Sequence, residues 1–312
     1  MKILIYGTGG IGGYFGGRLA NAGNSVSFIA RGNHLQAIKK NGLQVESIQG
    51  NFTVYPRLIT HDIKEVEPPD LVILGVKSWQ ITPTAMELRP IITSKTMVLP
   101  LQNGGGYVED LLKVLPKENV LGGLCHIVSF ISAPGKIKHK GLEPTITFGG
   151  LDNAVSRRIL DLQNTFLAAG IHSVIPEDII LEIWKKLLFS TSVSALGGLT
   201  RVSIGTMRER PFLKDLMRKT SVEVKNVANA KGIFIKNDHV NKVFEIIDNL
   251  DFQTTSSTQR DIMEGKPSEL ENLNGYIVKE GARLGIPTPV NLFINECLLP
   301  IEMEARNRVE TN

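Results

Sequence analysis

At 312 residues the chain exceeds the size at which one hydrophobic core usually stops growing, so two domains are expected, each large enough to bury a core of its own. Its 35 basic and 31 acidic residues leave a net charge of +4, and no basic run is interleaved with aromatics, which sets nucleic acid aside and suits a small anionic ligand. Cys125 and Cys297 are too few and too far apart for a disulfide framework or a zinc motif. No apolar stretch nears the roughly 18 residues of a membrane span, and the short, glycine-bearing N-terminal run does not read as a signal peptide, so a reducing cytoplasm is the expected location.

The first element predicted is a strand over Ile3 to Tyr6, which runs into Gly7, Gly9 and Gly12 in the spacing G-x-G-x-x-G and then into a helical run stopped by Gly23. That context is the dinucleotide fingerprint for a nicotinamide or flavin cofactor. Gly7 permits the tight turn, Gly9 lets the backbone approach the pyrophosphate, and Gly12 lets the helix pack on the strand. The phosphates would sit on unpaired helix N–H groups. The plain alternative is a tight strand-to-helix turn with no ligand. Val26 to Ala30 reads as the second strand, and its end carries Arg31 where an NAD site would place an acid. A guanidinium can hold a 2′-phosphate in a bidentate pair, which favours NADPH over NADH; otherwise Arg31 is an exposed loop charge.

A helix over His34 to Asn41 leads to short strands at Leu43 to Ser47 and Phe52 to Val54, then to buried-type strands at Leu71 to Val76 and Met97 to Leu101. Apolar runs alternating with helical patterns predict a parallel sheet with helices on its faces, a Rossmann-type α/β domain. Between Gly122 and Gly150, Pro134-Gly135 turns between strand-like runs, so the sheet is expected to finish with antiparallel strands. From about Pro176 the pattern is helical to the end, which places the domains at 1–174 and 175–312.

Ligands of open α/β sheets bind where loops leave the carboxyl ends of the strands. Two such loops hold polar side chains: Lys77 in GVKSWQ and Asn103 in LQNGGG. Lys77 either meets a phosphate or carboxylate or lifts its head into water. Asn103-Gly104 is either a turn dipeptide or an amide aimed at a ligand. In EDIILEIWKKLLFSTSVSAL, Lys186, Ser190 and Ser194 share one helix face among apolar neighbours, where a partly desolvated lysine has a lowered pKa and can donate a proton to a developing alkoxide. Glu182, four residues before Lys186, offers the competing reading of an ordinary ion pair. Further on, Ser257 and Asp261 lie one turn apart, and Glu269 is either a site carboxylate or a first-turn acid in a capping box running from Ser268 to Glu271. The six histidines show no close pairing with acids or cysteines, so no metal is expected.

Taken together and in this order, GTGGIGG, GVKSWQ, LQNG, WKKL, TTSS and SELENLNGY resemble the ketopantoate reductase (2-dehydropantoate 2-reductase) family over nearly the whole chain. The resemblance implies an N-terminal Rossmann domain followed by a helical domain related to the C-terminal domain of 6-phosphogluconate dehydrogenases, with the active site in the cleft between them. It implies NADPH-dependent reduction of ketopantoate to pantoate, on the way to pantothenate and coenzyme A. Lys186 then corresponds to the general acid, and Glu269 to the catalytic or substrate-orienting carboxylate. Asn103, Ser190, Ser194 and Ser257 take the substrate side, while Gly7, Thr8, Gly9, Gly10, Ile11, Gly12, Arg31, Lys77, Asn103 and Glu269 take the cofactor side. The chain departs from the family at Ser190, Ser194, Ile204 and Thr254, where asparagines are common. These departures keep open a reductase of another branched or aromatic 2-oxo acid, and a non-enzymatic NADPH sensor is the further alternative. The partner is a small 2-oxo acid, with no nucleic acid and no membrane; a homodimer is left open.

Overall fold

The computed structural model describes residues 1–310, and side chains through Arg308. The chain divides into two compact units, Met1–Gln102 with Tyr107–Ile179, and Asn103–Gly106 with the chain from Ile180 onward.

In the first unit the elements run β1 (Lys2–Tyr6), α1 (Gly10–Asn21), β2 (Ser25–Ile29), α2 (Gly32–Asn41), β3 (Leu43–Ser47), β4 (Phe52–Val54), β5 (Leu58–Thr60), β6 (Leu71–Leu74), α3 (Ile81–Leu88), β7 (Met97–Pro100), α4 (Tyr107–Leu112), β8 (Leu121–Ala133), β9 (Lys136–Gly150), α5 (Arg157–Ala168) and β10 (His172–Val174). Strands β5-β2-β1-β6-β7 form one sheet in that order, every pairing parallel. The runs LVIL and MVLP are buried at every position, as a strand covered on both faces requires. Strand β6 is two residues shorter than the apolar run suggests. The chain leaves the sheet at Gly75, whose N–H still donates to the Tyr6 carbonyl at 2.8 Å, because Gly75 and Val76 must pack on the Gly7 turn.

The expected antiparallel finish forms a separate sheet. Strands β8 and β9 pair antiparallel from Leu121↔Gly150 to Ala133↔Lys136, and the other edge of β9 takes β3 and β10, both parallel. Among the described residues the parallel sheet meets the start of β8 in an isolated bridge, Val98↔Val120. Helix α1 lies between the two sheets. A Cβ at Gly16 would stand 2.5 Å from Ile5 of the first sheet, and one at Gly13 would stand 2.7 Å from Ile137 of the second. The resulting core runs from Ile5, Phe28 and Ile73 through Phe15 to Ile137, Phe148 and Phe166. At roughly 1.5–3 kcal/mol per buried large side chain, its burial is the main stabilising contribution of this unit.

The division falls at Ile179/Ile180, past the position near residue 174 that composition suggests, because His172–Val174 still pairs with β9. The second unit is helical throughout: α6 (Ile179–Thr200), α7 (Ile204–Glu209), α8 (Pro211–Ala230), α9 (Asn237–Asn249), α10 (Ser257–Met263), α11 (Asn274–Leu284) and α12 (Pro289–Glu310). Trp184, Leu188, Met217, Val224, Phe244 and Ile277 are among its buried core residues. Glu223, 7 % exposed, accepts from the backbone N–H groups of Val290 and Asn291 at 2.9 Å each, so a carboxylate satisfies the otherwise orphaned donors at the start of α12. No helix among the described residues is long and apolar enough to cross a membrane.

Candidate active site

The β1–α1 turn is built for close approach. Gly7 has φ +94°, and a Cβ there would stand 2.8 Å from Val76, while one at Gly12 would stand 2.1 Å from the Gly7 carbonyl oxygen. A Cβ at Gly9 would meet nothing nearer than the Gly75 carbonyl oxygen at 4.0 Å, so the space beside the helix start is open. Gly9 is also the N-cap of α1; it brings no side-chain acceptor, and no acid lies in the first turn, through Gly10 and Ile11. These are the conditions under which first-turn amides hold an anionic pyrophosphate. Thr8 is buried and fastens the turn to the second strand, donating from Oγ1 to the Ile29 carbonyl at 2.8 Å.

Arg31 is exposed at the end of β2, as the N-cap of α2, and the first turn of that helix holds no acid. Tyr6, at the end of β1, donates its phenol hydrogen bond to Glu87. Burial, the Glu87 hydrogen bond and the Glu87 charge push its hydroxyl pKa up to about 12, with Arg31 pulling the other way. Lys77 is partly buried just past β6, its ammonium 5.9 Å from the centre of the Trp79 ring, within cation–π range, so it does not simply extend into water. Gln102, 3 % exposed, donates from Nε2 to the carbonyls of Leu74 at 2.8 Å and Val76 at 3.0 Å, tying the loop after β7 to the end of β6. Gln102 was open to detection in the sequence only as a polar residue inside an apolar strand end.

Sequence order places Asn103 in the first domain, but Asn103–Gly106 packs in the helical unit. There the Asn103 amide donates to Oε2 of Glu269 at 3.1 Å, and the Gly105 N–H donates to the Asn272 carbonyl at 2.8 Å. The glycines following Asn103 are more than a turn: a Cβ at Gly105 would lie 2.2 Å from the Tyr276 ring, and one at Gly104 would lie 2.5 Å from the Asn272 carbonyl oxygen. Glu269 is 4 % exposed and precedes a 3-10 turn over Leu270–Asn272 rather than lying in the first turn of a helix. The capping box expected from Ser268 to Glu271 does not form. Ser268 accepts from the Leu270 N–H but binds Glu302, and the Glu271 carboxylate goes to Arg306.

On α6 Glu182 forms an ion pair with Lys185 at 2.7 Å, with both partners about a third exposed. Lys186 and Ser190 are partly buried, and Ser194 is 4 % exposed. Ser192, offset from this face, turns inward to the Leu188 carbonyl and to Ser221. Ser257 is the first residue of α10 and exposed, whereas Ser256 is its N-cap, accepting from the Gln259 N–H at 3.0 Å. Ile204 does not belong with these residues: it is fully buried in the apolar core, tied by its N–H to the Thr254 carbonyl at 2.9 Å. Among the described residues no group of three or more His, Cys, Asp or Glu side chains could hold a metal ion.

Two family models match the chain: ketopantoate reductase PanE/ApbA over residues 3–153, and its C-terminal counterpart over residues 178–302. The chain is similar to an uncharacterized oxidoreductase, YkpB, of Bacillus subtilis, at 29% identity over 93% of this chain and 95% of that protein. It is similar to a 2-dehydropantoate 2-reductase of Pyrococcus abyssi, at 31% identity over 94% of this chain and 95% of that one. Among solved structures, a PanE/ApbA family ketopantoate reductase from Ralstonia eutropha JMP134 superposes with a TM-score of 0.89 at 30% identity, over 98% of this chain and 100% of that chain. The chain therefore belongs to the ketopantoate reductase family, NADP-dependent oxidoreductases acting on a CH–OH group.

Proposed function

We propose that the chain reduces 2-dehydropantoate (ketopantoate) to pantoate with NADPH, the reaction that leads to pantothenate and coenzyme A. The observation that carries this reading is the buried Glu269 carboxylate held by the Asn103 amide in the helical unit that also presents Lys186 on α6. The full-length similarity to the Pyrococcus abyssi 2-dehydropantoate 2-reductase supports the choice of substrate. Membership of an oxidoreductase family sets aside the reading as a sensor without turnover.

When bound, NADPH supplies a hydride to the 2-oxo carbon of the substrate. The first-turn amides of α1, with Gly7 to Gly12, hold the pyrophosphate; Arg31 and Lys77 neutralise phosphate charge, Arg31 at the ribose 2′-phosphate. Lys186 stabilises the negative charge growing on the carbonyl oxygen and transfers its ammonium proton to it, so that the product is the neutral alcohol and the lysine is reprotonated from solvent. Glu269 accepts hydrogen bonds and orients the substrate, and Asn103 fixes one of its oxygens. Ser190, Ser194 and Ser257 offer hydroxyls to the substrate.

A second reading, a reductase of another branched or aromatic 2-oxo acid, is favoured by Ser190 and Ser194, which are shorter than the asparagines common there and bond with a different geometry. Ile204 adds nothing to it, being a core residue. Steady-state kinetics with NADPH, comparing ketopantoate with 2-oxoisovalerate, separates the two. A site that reads the 4-hydroxyl rejects the analogue lacking it by about 10⁴-fold or more in kcat/KM. A ratio near one assigns the chain to the wider 2-oxo acid class. Turnover of neither compound removes the proposal.

A further inference from the structure

Glu302 lies in the second half of α12, far from every motif in the sequence, yet it is 3 % exposed and surrounded by donors. Both of its oxygens stand 3.0 Å from the Ser268 N–H, Oε2 accepts from the Ser268 hydroxyl at 2.5 Å, and Oε1 accepts from Nε of Arg306 at 2.8 Å. Arg306, one helical turn on, reaches Oε2 of Glu271 at 2.5 Å through a second guanidinium nitrogen. The residues on either side of the Glu269–Leu270 pair are thus both fastened to one helix. The Ser268 hydroxyl oxygen in turn accepts from the Leu270 N–H at 3.2 Å.

A buried carboxylate is costly unless its lone pairs are filled, and here four donor contacts fill them. What this local expense fixes is the backbone around Glu269. On the other side of the same turn, the Asn272 carbonyl accepts from the Gly105 N–H, and the Glu269 side chain accepts from Asn103. The turn is held by α12 on one flank and by the Asn103–Gly106 segment on the other, so the direction of the Glu269 carboxylate depends on both.

We propose that Glu302 and Arg306 are positioning residues for the reaction: they act through Ser268 and Glu271 to aim the Glu269 carboxylate, which makes the C-terminal helix part of the catalytic apparatus. The proposal rests on the reading of Glu269 as a substrate-orienting group. A side chain displaced by about 1 Å can cost on the order of a hundredfold in rate even when the mutation lies away from the chemistry.

The test uses the full-length enzyme with NADPH and the better of the two 2-oxo acids, in parent, Glu302→Ala, Arg306→Lys, Glu269→Gln and Glu302→Ala/Glu269→Gln forms. Glu302→Ala is expected to lower kcat/KM for the 2-oxo acid by roughly tenfold to a hundredfold, with NADPH Kd, read by nucleotide fluorescence, within about twofold of the parent. In the Glu269→Gln background the same substitution should cost almost nothing further, because residues acting through one another are not additive. Arg306→Lys keeps a charge but loses the forked contact to Glu302 and Glu271, and is expected to fall between parent and Glu302→Ala. It also serves as the readout if Glu302→Ala does not fold. Unchanged kcat/KM in a folded Glu302→Ala or Arg306→Lys protein overturns the proposal, as does an undiminished Glu302→Ala effect without Glu269. Parent-like kinetics in Glu269→Gln would instead remove the role assigned to Glu269.

Discussion

The side-chain amide of Asn103 donates to Oε2 of Glu269 at 3.1 Å, joining residues 166 positions apart in the chain. Glu269 is all but excluded from solvent, so the species on the other end of that bond decides which ligand atoms its carboxylate can address. Replacing Asn103 by Ala removes one donor; replacing it by Asp sets a second carboxylate against the first, and two such groups at hydrogen-bond distance do not both ionise. Asn103→Asp, in which the proton shared by the pair occupies a Glu269 oxygen that a ligand would otherwise address, is therefore expected to lose more kcat/KM than Asn103→Ala, by about tenfold. Equal losses in the two variants would show that Asn103 does not act through Glu269.

Lys185 and Lys186 are adjacent on α6, and Lys185 pairs with Glu182. Lys186→Ala is expected to reduce kcat by roughly a hundredfold to ten-thousandfold, the range for loss of a positioned acid, while NADPH affinity and thermal stability stay near the parent. Lys185→Ala should leave kcat intact and cost less than about 1 kcal/mol of stability, as an exposed pair does. Measuring kcat, NADPH Kd and Tm on both variants checks the contrast; a reversed order would assign the acid to the wrong lysine.

Arg31 is the N-cap of α2 at the end of β2, and the first turn of that helix carries no acid. A charge-assisted contact to a 2′-phosphate contributes about 1.5–3 kcal/mol, so Arg31→Ala should weaken NADPH binding by roughly tenfold to a hundredfold and leave NADH binding nearly unchanged. Fluorescence titration of both nucleotides reads this directly. Parallel losses for the two would mean that Arg31 contacts something other than the 2′-phosphate.

His34 accepts from the Gly135 N–H at 3.0 Å through Nδ1, and burial pushes its pKa below the ordinary imidazole value. The sign follows from proton binding: the unfolded chain takes up a proton near pH 6.5, while the folded chain resists it to lower pH. The contribution of His34 to stability is present above the ordinary value and is lost as pH falls through the folded one. Tm should fall between pH 7 and pH 5, with His239, whose pKa burial also lowers, adding in the same direction. His34→Gln, which cannot titrate, should flatten the slope at a cost of about 1 kcal/mol at neutral pH. The same slope in the variant would place the pH dependence elsewhere.

Much of the first unit was legible because its signals are local. The G-x-G-x-x-G spacing, the apolar runs of β1, β6 and β7 and the Pro134-Gly135 turn each report a backbone geometry that neighbouring residues dictate among themselves. The hairpin announced itself in the same way. Its sheet did not, because which strand edge remains free is settled only when β9 has taken β8, β3 and β10 as partners. The helical unit was equally readable as helices, and Lys186, Ser190 and Ser194 as one face of α6.

By itself the sequence determined β1 to β4, β6 and β7, the β8–β9 hairpin, the helical character of the second unit, the fingerprint turn and the side chains able to carry charge or protons, since these depend on spacing within one or two turns of chain. Tertiary packing alone decided that Asn103 leaves its own strand's unit to meet Glu269, that Glu182 takes Lys185, that Ile204 is core, and that Glu302 on the last helix grips the segment around Glu269. Each of these is a choice among several chemically equivalent partners. Periodicity says which face a residue occupies, but only the burial of the apolar surfaces beneath it brings one partner within hydrogen-bond distance and leaves the others out of reach.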